Sequence, residues 1–316
     1  MKKQMLLSFL AGAVAPLILT GLFQKVPVTP EAESESVSPT VLIEEHDPET
    51  FLTVRNRAGN LQQMSLREYL VGVVLAEMPA GFESEALKAQ AVVARTYTRK
   101  RMEGGKHGQA AVCMDSGCCQ GWRSWEDYLA DGGKASAAEK VRAAVADTDG
   151  LVLRYDGKLI DATYFSCSGG ATEDAVAVWG QDVPYLRSVE SPGEEDAPRF
   201  TDRVSFSAGE FAGKLGLSAG GNARDWFGAV TYTAGGGVET MVIRCKSFTG
   251  TQLRSKLGLR STAFEISVSG STVTITTRGF GHRVGMSQYG AQAMAQAGSS
   301  FSEILAHYYT GTELGR

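Results

Sequence analysis

Residues 65–101 read SLREYLVGVVLAEMPAGFESEALKAQAVVARTYTRKR. Ser65 stands as a helix N-cap with Glu68 at the capping-box position. Leu66, Tyr69, Leu70, Val73 and Val74 then recur at helical spacing, and the next member of that apolar stripe is Glu77. A carboxylate therefore falls on a face that is otherwise buried. Pro79 and Gly81 end this helix, and Ser84 with Glu85 opens a second, alanine-rich helix that runs to about Arg101. Lys88, Val92, Arg95 and Arg99 share one of its faces.

Outward from this pair, Thr40–Ile43 and Phe51–Arg55 read as strands, with a turn at Ala58-Gly59-Asn60 and a return over Leu61–Met64. After an irregular stretch, Ala135–Asp147 is a third helix. From Leu151 the pattern is strand-dominated, over 151–154, 159–165, 204–206, 229–233, 238–244, 264–268 and 272–277, with short helices at 209–215 and 251–257. Helices over 288–297 and 301–308 close the chain. The pattern predicts an α+β fold, a mainly antiparallel sheet with the helices bearing the catalytic candidate at its N-terminal end, in one elongated domain spanning residues 41–316. No period suggests a repeat array.

The chain has 316 residues, 43% hydrophobic and 21% charged, enough to bury a large core and too apolar for disorder along its length. Lys plus Arg number 31 against 35 Asp plus Glu, a balance that removes the counterion-release drive of nucleic-acid binders. At the N-terminus Lys2 and Lys3 precede an apolar stretch, Met5–Phe23, about long enough to cross a bilayer. Ala13-Val14-Ala15 looks like a cleavage site, but Pro16 follows it and the apolar run continues, which favours an uncleaved anchor. Residues 1–23 are thus expected to be a cytoplasmic tip and membrane anchor that leaves the large domain outside. Pro27, Pro30, Pro39 and three glutamates make residues 24–40 a solvated tether.

Five groups of residues could carry chemistry. Glu77, on an apolar face, should hold its proton more tightly than usual and suit general-acid work, unless it turns to solvent or pairs with an arginine. Lys88 and Arg95 could bind a sugar or an anion near it, or form a solvated face. His107, Cys113, Cys118 and Cys119 lie within thirteen residues, HGQAAVCMDSGCC, and suit a closed tetrahedral zinc site, with a Cys113 disulfide or free thiols as the alternatives. A bond between the adjacent Cys118 and Cys119 would be strained. Cys167 and Cys245 read as small buried residues. Two glycine-rich stretches complete the set. GFGHRVGMSQYGAQAMA, 279–295, lacks the Gly-Lys-Ser/Thr of a phosphate loop; His282, Ser287, Gln288 and Tyr289 instead offer hydrogen bonds and a stacking face to a sugar. YFSCSGGAT, 164–172, makes a similar polar turn with Tyr164, Ser166, Ser168, Gly169 and Gly170, and ordinary structural turns are the alternative for both.

Taken together, EMPAGFESEALKAQAVVARTY (77–97), YFSCSGGATEDA (164–175) and the 279–295 segment resemble the stage II sporulation protein D family, which includes amidase-enhancer relatives. The likeness runs from about Met64 to the C-terminus. It implies a membrane-anchored lytic transglycosylase acting on peptide-stripped peptidoglycan during engulfment, beside a stage II sporulation protein P-like amidase and a stage II sporulation protein M-like membrane protein. It implies Glu77 as catalytic acid and Lys88 and Arg95 as groove residues, and in the expected reaction these two, with Tyr164, Ser166, His282 and Gln288, position the glycan. It also implies a structural zinc on His107, Cys113, Cys118 and Cys119, with Cys118 where the family pattern has histidine. Two other readings stay open: a wall-binding enhancer that stimulates an amidase without cutting glycan, and a zinc hydrolase using His282.

Overall fold

In the computed structural model, which describes residues 50–316, the chain enters through a hairpin of β1 (Phe51–Arg55) and β2 (Leu61–Ser65), in register from Phe51 opposite Ser65 to Arg55 opposite Leu61. Asn56 turns it by accepting the Ala58 and Asn60 N–H groups on its side-chain oxygen. Ser65 Oγ then accepts the Glu68 N–H at 3.1 Å and starts α1 (Leu66–Glu77), whose buried side includes Tyr69, Leu70, Val73 and Val74 as the stripe predicts. The longer α2 (Ser84–Glu103) is buried on almost every side, because its alanines let α1 and later helices approach it closely. Then come β3 (Val112–Cys113), which pairs parallel to β1, α3 (Trp125–Ala130), α4 (Ala135–Asp147), β4 (Val152–Tyr155), β5 (Lys158–Leu159) and β6 (Tyr164–Phe165). The strand expected over 159–165 is therefore two short strands with an irregular link.

A second stretch follows: β7 (Gly170–Ala171), α5 (Ala175–Trp179), β8 (Glu190–Ser191), β9 (Thr201–Ser207), α6 (Ala208–Leu215), a single 3-10 turn at Ala223–Trp226, β10 (Phe227–Tyr232), β11 (Val238–Ile243), β12 (Lys246–Thr249), α7 (Gly250–Leu257), β13 (Ala263–Ser269) and β14 (Thr272–Arg278). Within it lies a duplication that a search for repeat arrays passes over. SFSAGEFAGKLGL (205–217) and SFTGTQLRSKLGL (247–259) share Ser-Phe and a closing Lys-Leu-Gly-Leu. Both segments end a strand, open a helix with a full capping box (Ser207 with Glu210, Thr249 with Gln252) and stop it at a left-handed glycine, Gly216 or Gly258. Two further strands follow in each copy. The copies interlock: β9 pairs with β14 and β12 with β11, so the first strand of each joins the last strand of the other. Phe211 and Leu215 of one helix and Leu253 and Leu257 of the other fill a shared core.

The chain closes with β15 (Met286–Ser287), α8 (Gln288–Gln296), α9 (Phe301–Tyr308) and β16 (Glu313–Gly315). A larger core, built on α1, α2, α4, α8 and α9, is separate from that of the duplicated segment. The α+β expectation holds in coarse form. Instead of one main sheet, the described residues form six small sheets, mostly antiparallel, with parallel pairs β1–β3 and β6–β15. Thr40–Ile43, the tether and the anchor lie outside the described residues; within these, no helix is long and apolar enough to cross a membrane. Cys245 is exposed rather than buried. With Arg244 it makes the two-residue turn between β11 and β12, both at positive φ (50° and 62°), which points its side chain away from the core.

Candidate active site and metal-ligating cluster

Glu77 is the last residue of α1, where the apolar stripe carries it to the wall of a cavity of about 470 Å³. The cavity is lined by Tyr97 and Cys119 on one side and by Tyr164, Ser166, Phe280, His282 and Gln288 on the other. Glu77 is the single carboxylate among its lining residues. Its Oε1 accepts the Gly121 N–H at 2.5 Å. Burial raises its pKa, and the Gly121 N–H and the Tyr164 hydroxyl, which favour the charged form, offset only part of that rise. A Cβ on Gly121 would stand 2.9 Å from Oε1, so a larger residue there would push the carboxylate from its present place. Sequence reasoning missed Gly121: it lies 44 residues from Glu77 and belongs to no periodic pattern.

The two glycine-rich stretches meet along this cavity. Met286 pairs with Tyr164 and Ser287 with Phe165, and Cys167 and Phe280 exchange both backbone hydrogen bonds, at 3.2 and 2.8 Å. A Cβ on Gly279 would reach 2.6 Å from Ser168 O, and one on Gly285 would reach 2.1 Å from Thr163 O. These glycines thus serve backbone-to-backbone approach, and it is the side chains between them that face the cavity. Tyr164, Ser166, His282 and Gln288 are brought together with Glu77 as expected. The Tyr164 hydroxyl donates to Gln120 Oε1 at 3.3 Å, and Gln120 donates on to Thr98 Oγ1 at 2.9 Å. His282 Nδ1 accepts the Val284 N–H at 3.1 Å, and burial, then the charge of Arg254, push its pKa down to about 4. His282 is therefore a neutral imidazole near pH 7.

Lys88 and Arg95 are not brought to this cavity. Arg95 is 1% exposed and donates to Val145 O at 3.0 Å, Leu151 O at 3.3 Å and Thr148 Oγ1 at 3.4 Å. It satisfies the carbonyl end of α4, where a cation also opposes the helix dipole. Lys88 forms ion pairs with Glu85 at 3.1 Å and Asp147 at 3.3 Å. Helical spacing placed both on one face correctly, but that face packs against α4. Ser287 and Ser168 are also buried, and Tyr289 packs edge-on against Phe82 at 5.1 Å.

Sequence reasoning also passed over three buried charges, two of them, Glu173 and Arg283, inside the quoted motifs. Arg283, held at φ 67°, pairs with Glu173 at 2.9 Å and donates to Ser168 O, Ala171 O and Gly235 O, which ties the duplicated segment to the cavity loops. Glu194 Oε2 accepts the Ser168 and Gly169 N–H groups at 2.5 and 3.2 Å, and its Oε1 accepts the Ser191 hydroxyl. For Glu173 and Arg283 the signal available was charge inside glycine-rich, largely small or apolar runs; Glu194 lies in the acidic run Glu194-Glu195-Asp196 and carried no such signal.

The cysteine-rich segment folds into one cluster. Cys113 lies on β3, and a turn in which Asp115 O accepts the N–H groups of both Cys118 and Cys119 brings those two back to it. The ligand atoms of His107, Cys113, Cys118 and Cys119 all lie within 4.8 Å of one another, with His107 Nε2 3.1 Å from Cys119 Sγ. All five cysteines are free thiols, Cys113 included. Burial and the charges of Arg55 and Lys106 lower the His107 pKa, and Lys106, working against partial burial, draws the Cys118 thiol down. Neutral imidazole and thiolate are the forms zinc takes, and three sulfurs with one nitrogen suit its tetrahedral preference. The residues fit a closed structural zinc site. Gln120 and Gly121 follow Cys119 directly, so such an ion would hold the segment that supplies Glu77 with its backbone donor.

A sequence profile described as "Stage II sporulation protein" matches residues 54–155, which include Glu77, the metal-ligating cluster and Gly121. The chain is 40% identical over 288 residues to stage II sporulation protein D of Bacillus amyloliquefaciens, covering 89% of this chain and 82% of that protein. It is 40% identical over 273 residues to the same protein of Bacillus subtilis (strain 168), covering 84% and 79%. An amidase enhancer of Bacillus subtilis is 31% identical over 298 residues, but those span only 40% of its length against 78% of this chain. Similarity this extensive makes the chain a member of the stage II sporulation protein D family.

Proposed function

We propose that the protein is a lytic transglycosylase of peptide-stripped peptidoglycan, cutting the β-1,4 bond from MurNAc to GlcNAc and leaving 1,6-anhydroMurNAc ends. One observation carries this reading: Glu77, with its pKa raised by burial, is the only carboxyl group lining the cavity among the described residues. A hydrolase that activates water or forms a glycosyl-enzyme needs a second carboxylate. A transglycosylase does not, because the nucleophile is the substrate's own hydroxyl. Protonated Glu77 gives its proton to the glycosidic oxygen as the bond to the anomeric carbon breaks and oxocarbenium character develops. The resulting carboxylate, stabilised by the Gly121 N–H, takes the proton of the MurNAc 6-hydroxyl as that oxygen closes on the anomeric carbon. No water is consumed, and Glu77 ends as it began.

Tyr164, Ser166, neutral His282 and Gln288 orient the sugar rings in this scheme. A zinc ion on the His107 cluster supplies rigidity, and no step passes through it. The Met5–Phe23 segment anchors the protein with the catalytic domain outside the cell, where an amidase of the stage II sporulation protein P kind would strip the strands and a membrane protein of the stage II sporulation protein M kind would hold the two together.

The test is mass spectrometry of peptide-stripped strands incubated with the protein. Anhydro ends are expected; reducing ends created by water addition would overturn the reading. The relative named as an amidase enhancer supports a second reading, in which the cavity binds wall glycan and stimulates an amidase. Intact strands, together with amidase stimulation that survives Glu77→Gln, would favour that one.

A further inference from the structure

Three consecutive residues of the cysteine-rich segment reach three different partners. Cys119 belongs to the metal-ligating cluster, the Gln120 side chain meets the Tyr164 hydroxyl at 3.3 Å, and the Gly121 N–H holds Glu77 Oε1. Residues 120 and 121 therefore fix Tyr164 and Glu77, which line the same cavity, relative to each other. Gln120 is itself 1% exposed, so its amide is committed to partners inside the protein.

The direction of each hydrogen bond in this chain is determined. Thr98, 0% exposed on α2, donates its hydroxyl proton to Ala94 O at 2.8 Å, so toward Gln120 its Oγ1 can only accept. Gln120 must then turn Nε2 to Thr98, at 2.9 Å, and Oε1 to Tyr164. An amide oxygen accepts and never donates, so the single Tyr164 proton points at Gln120 and a lone pair of the phenol is left for Glu77. A lone pair suits a protonated carboxyl, whereas a carboxylate calls for the proton. At 3.3 Å the Tyr164–Gln120 bond is long for two oxygens, so a carboxylate, the stronger acceptor, can draw the proton away once it forms.

We propose that Gln120 is a positioning residue that holds the Tyr164 proton away from Glu77 until the acid has given up its own. In the resting site Tyr164 donates to Gln120 and Glu77 keeps its proton. As that proton passes to the glycosidic oxygen, the Tyr164 hydroxyl rotates, leaves Gln120 and donates to the new carboxylate; it turns back when Glu77 takes the proton of the 6-hydroxyl. No covalent bond changes beyond those of the transglycosylation, the reading on which this inference rests. The other ionisable groups around the pair are Tyr69 on α1, Tyr97 on α2, Cys119, His282 and Tyr309. No lysine, arginine or aspartate lines the cavity among the described residues, and Arg101, over the Tyr97 ring at 4.9 Å, is paired with Asp161 at 3.6 Å.

Strand cleavage by the full-length protein and its variants, followed across a range of pH, tests this. Gln120→Met keeps the volume but offers no acceptor, which leaves the Tyr164 proton on Glu77 throughout. It should lower kcat about tenfold near pH 7 with KM unchanged, and shift the loss of activity on the alkaline side to lower pH. Gln120→Glu, which in its neutral form presents the same oxygen to Tyr164 and a donor to Thr98, should restore most of the rate. In a Tyr164→Phe background Gln120→Met should have no further effect. A loss there as large as in the wild type would mean that Gln120 only supports the metal-ligating turn, and would overturn the inference while leaving Glu77's role intact. If Gln120→Met does not fold, Thr98→Val frees the amide to reverse and should lower kcat about threefold, with Thr98→Ser at the wild-type rate; a Thr98→Val rate equal to wild type would then overturn the inference. Reducing ends from water addition, or intact strands with the parent protein, would overturn the transglycosylase reading and this inference with it.

Discussion

Glu77 and Glu194 are both carboxylates removed from bulk water, yet their surroundings differ in kind. Glu194 is 1% exposed and accepts two backbone N–H groups and the Ser168 hydroxyl on one oxygen, with the Ser191 hydroxyl on the other; that hydroxyl also meets Tyr308 at 2.6 Å. Glu77 has one backbone donor and an open cavity in front of it. Donors stabilise the charged form, so a well-supplied carboxylate is a fixed tie between chain segments, while a poorly supplied one keeps its proton and can release it. Count of donors, more than depth of burial, separates structure from chemistry here.

The sharpest way to break this contrast is to make both residues amides. Glu77→Gln should reduce strand cleavage about 1000-fold or more, as expected for loss of a general acid, with a thermal midpoint unchanged or raised by about 2 °C near neutral pH. Glu194→Gln should do the reverse. An amide presents an NH2 to N–H and O–H donors that need an acceptor, so unfolding in urea should show a loss of about 3 kcal/mol or more, with turnover per folded molecule preserved. If instead Glu194→Gln folds normally and loses turnover, the assignment of roles is wrong.

Removal of metal probes the single backbone donor that Glu77 has. Chelation should lower the thermal midpoint by about 10 °C and reduce cleavage with it, since the Cys118-Cys119 turn leads straight into Gly121. A zinc hydrolase would lose activity with no change in midpoint, and that result would revive His282 as a reacting group.

What the sequence discloses and what it hides follow from the range of the contacts. Glu77 is legible because its signal is local: a carboxylate at a position where the 3.6-residue period calls for an apolar side chain. The metal cluster is legible because its four ligands lie within thirteen residues. Arg95 shows the limit of the same logic, since periodicity assigns it to a face but cannot say that the end of α4 covers that face. Gly121 and the tie between Glu194 and Ser168 depend on tertiary approach and leave no periodic trace. The duplicated segment hides for another reason. Its copies agree mainly around a helix and its caps, and each completes its sheet with a strand of the other, so neither copy reads as a self-contained unit.

The smallest effect expected is also the most direct reading of Glu77's surroundings. Because burial raises its pKa, the folded protein binds this proton more tightly than the unfolded chain does. The stabilisation from protonation is therefore fully present below the unfolded carboxyl value and is lost as pH rises through the higher folded value. Glu77→Gln lacks that titration. Thermal midpoints of the two proteins, followed from about pH 4 to pH 8, should diverge as pH rises, with the wild type losing ground. Cleavage should fall over the same interval, since the acid must carry its proton to act. A difference in midpoint that stays flat across the range would mean that burial does not raise the Glu77 pKa, and the reading of Glu77 as an acid that keeps its proton would collapse.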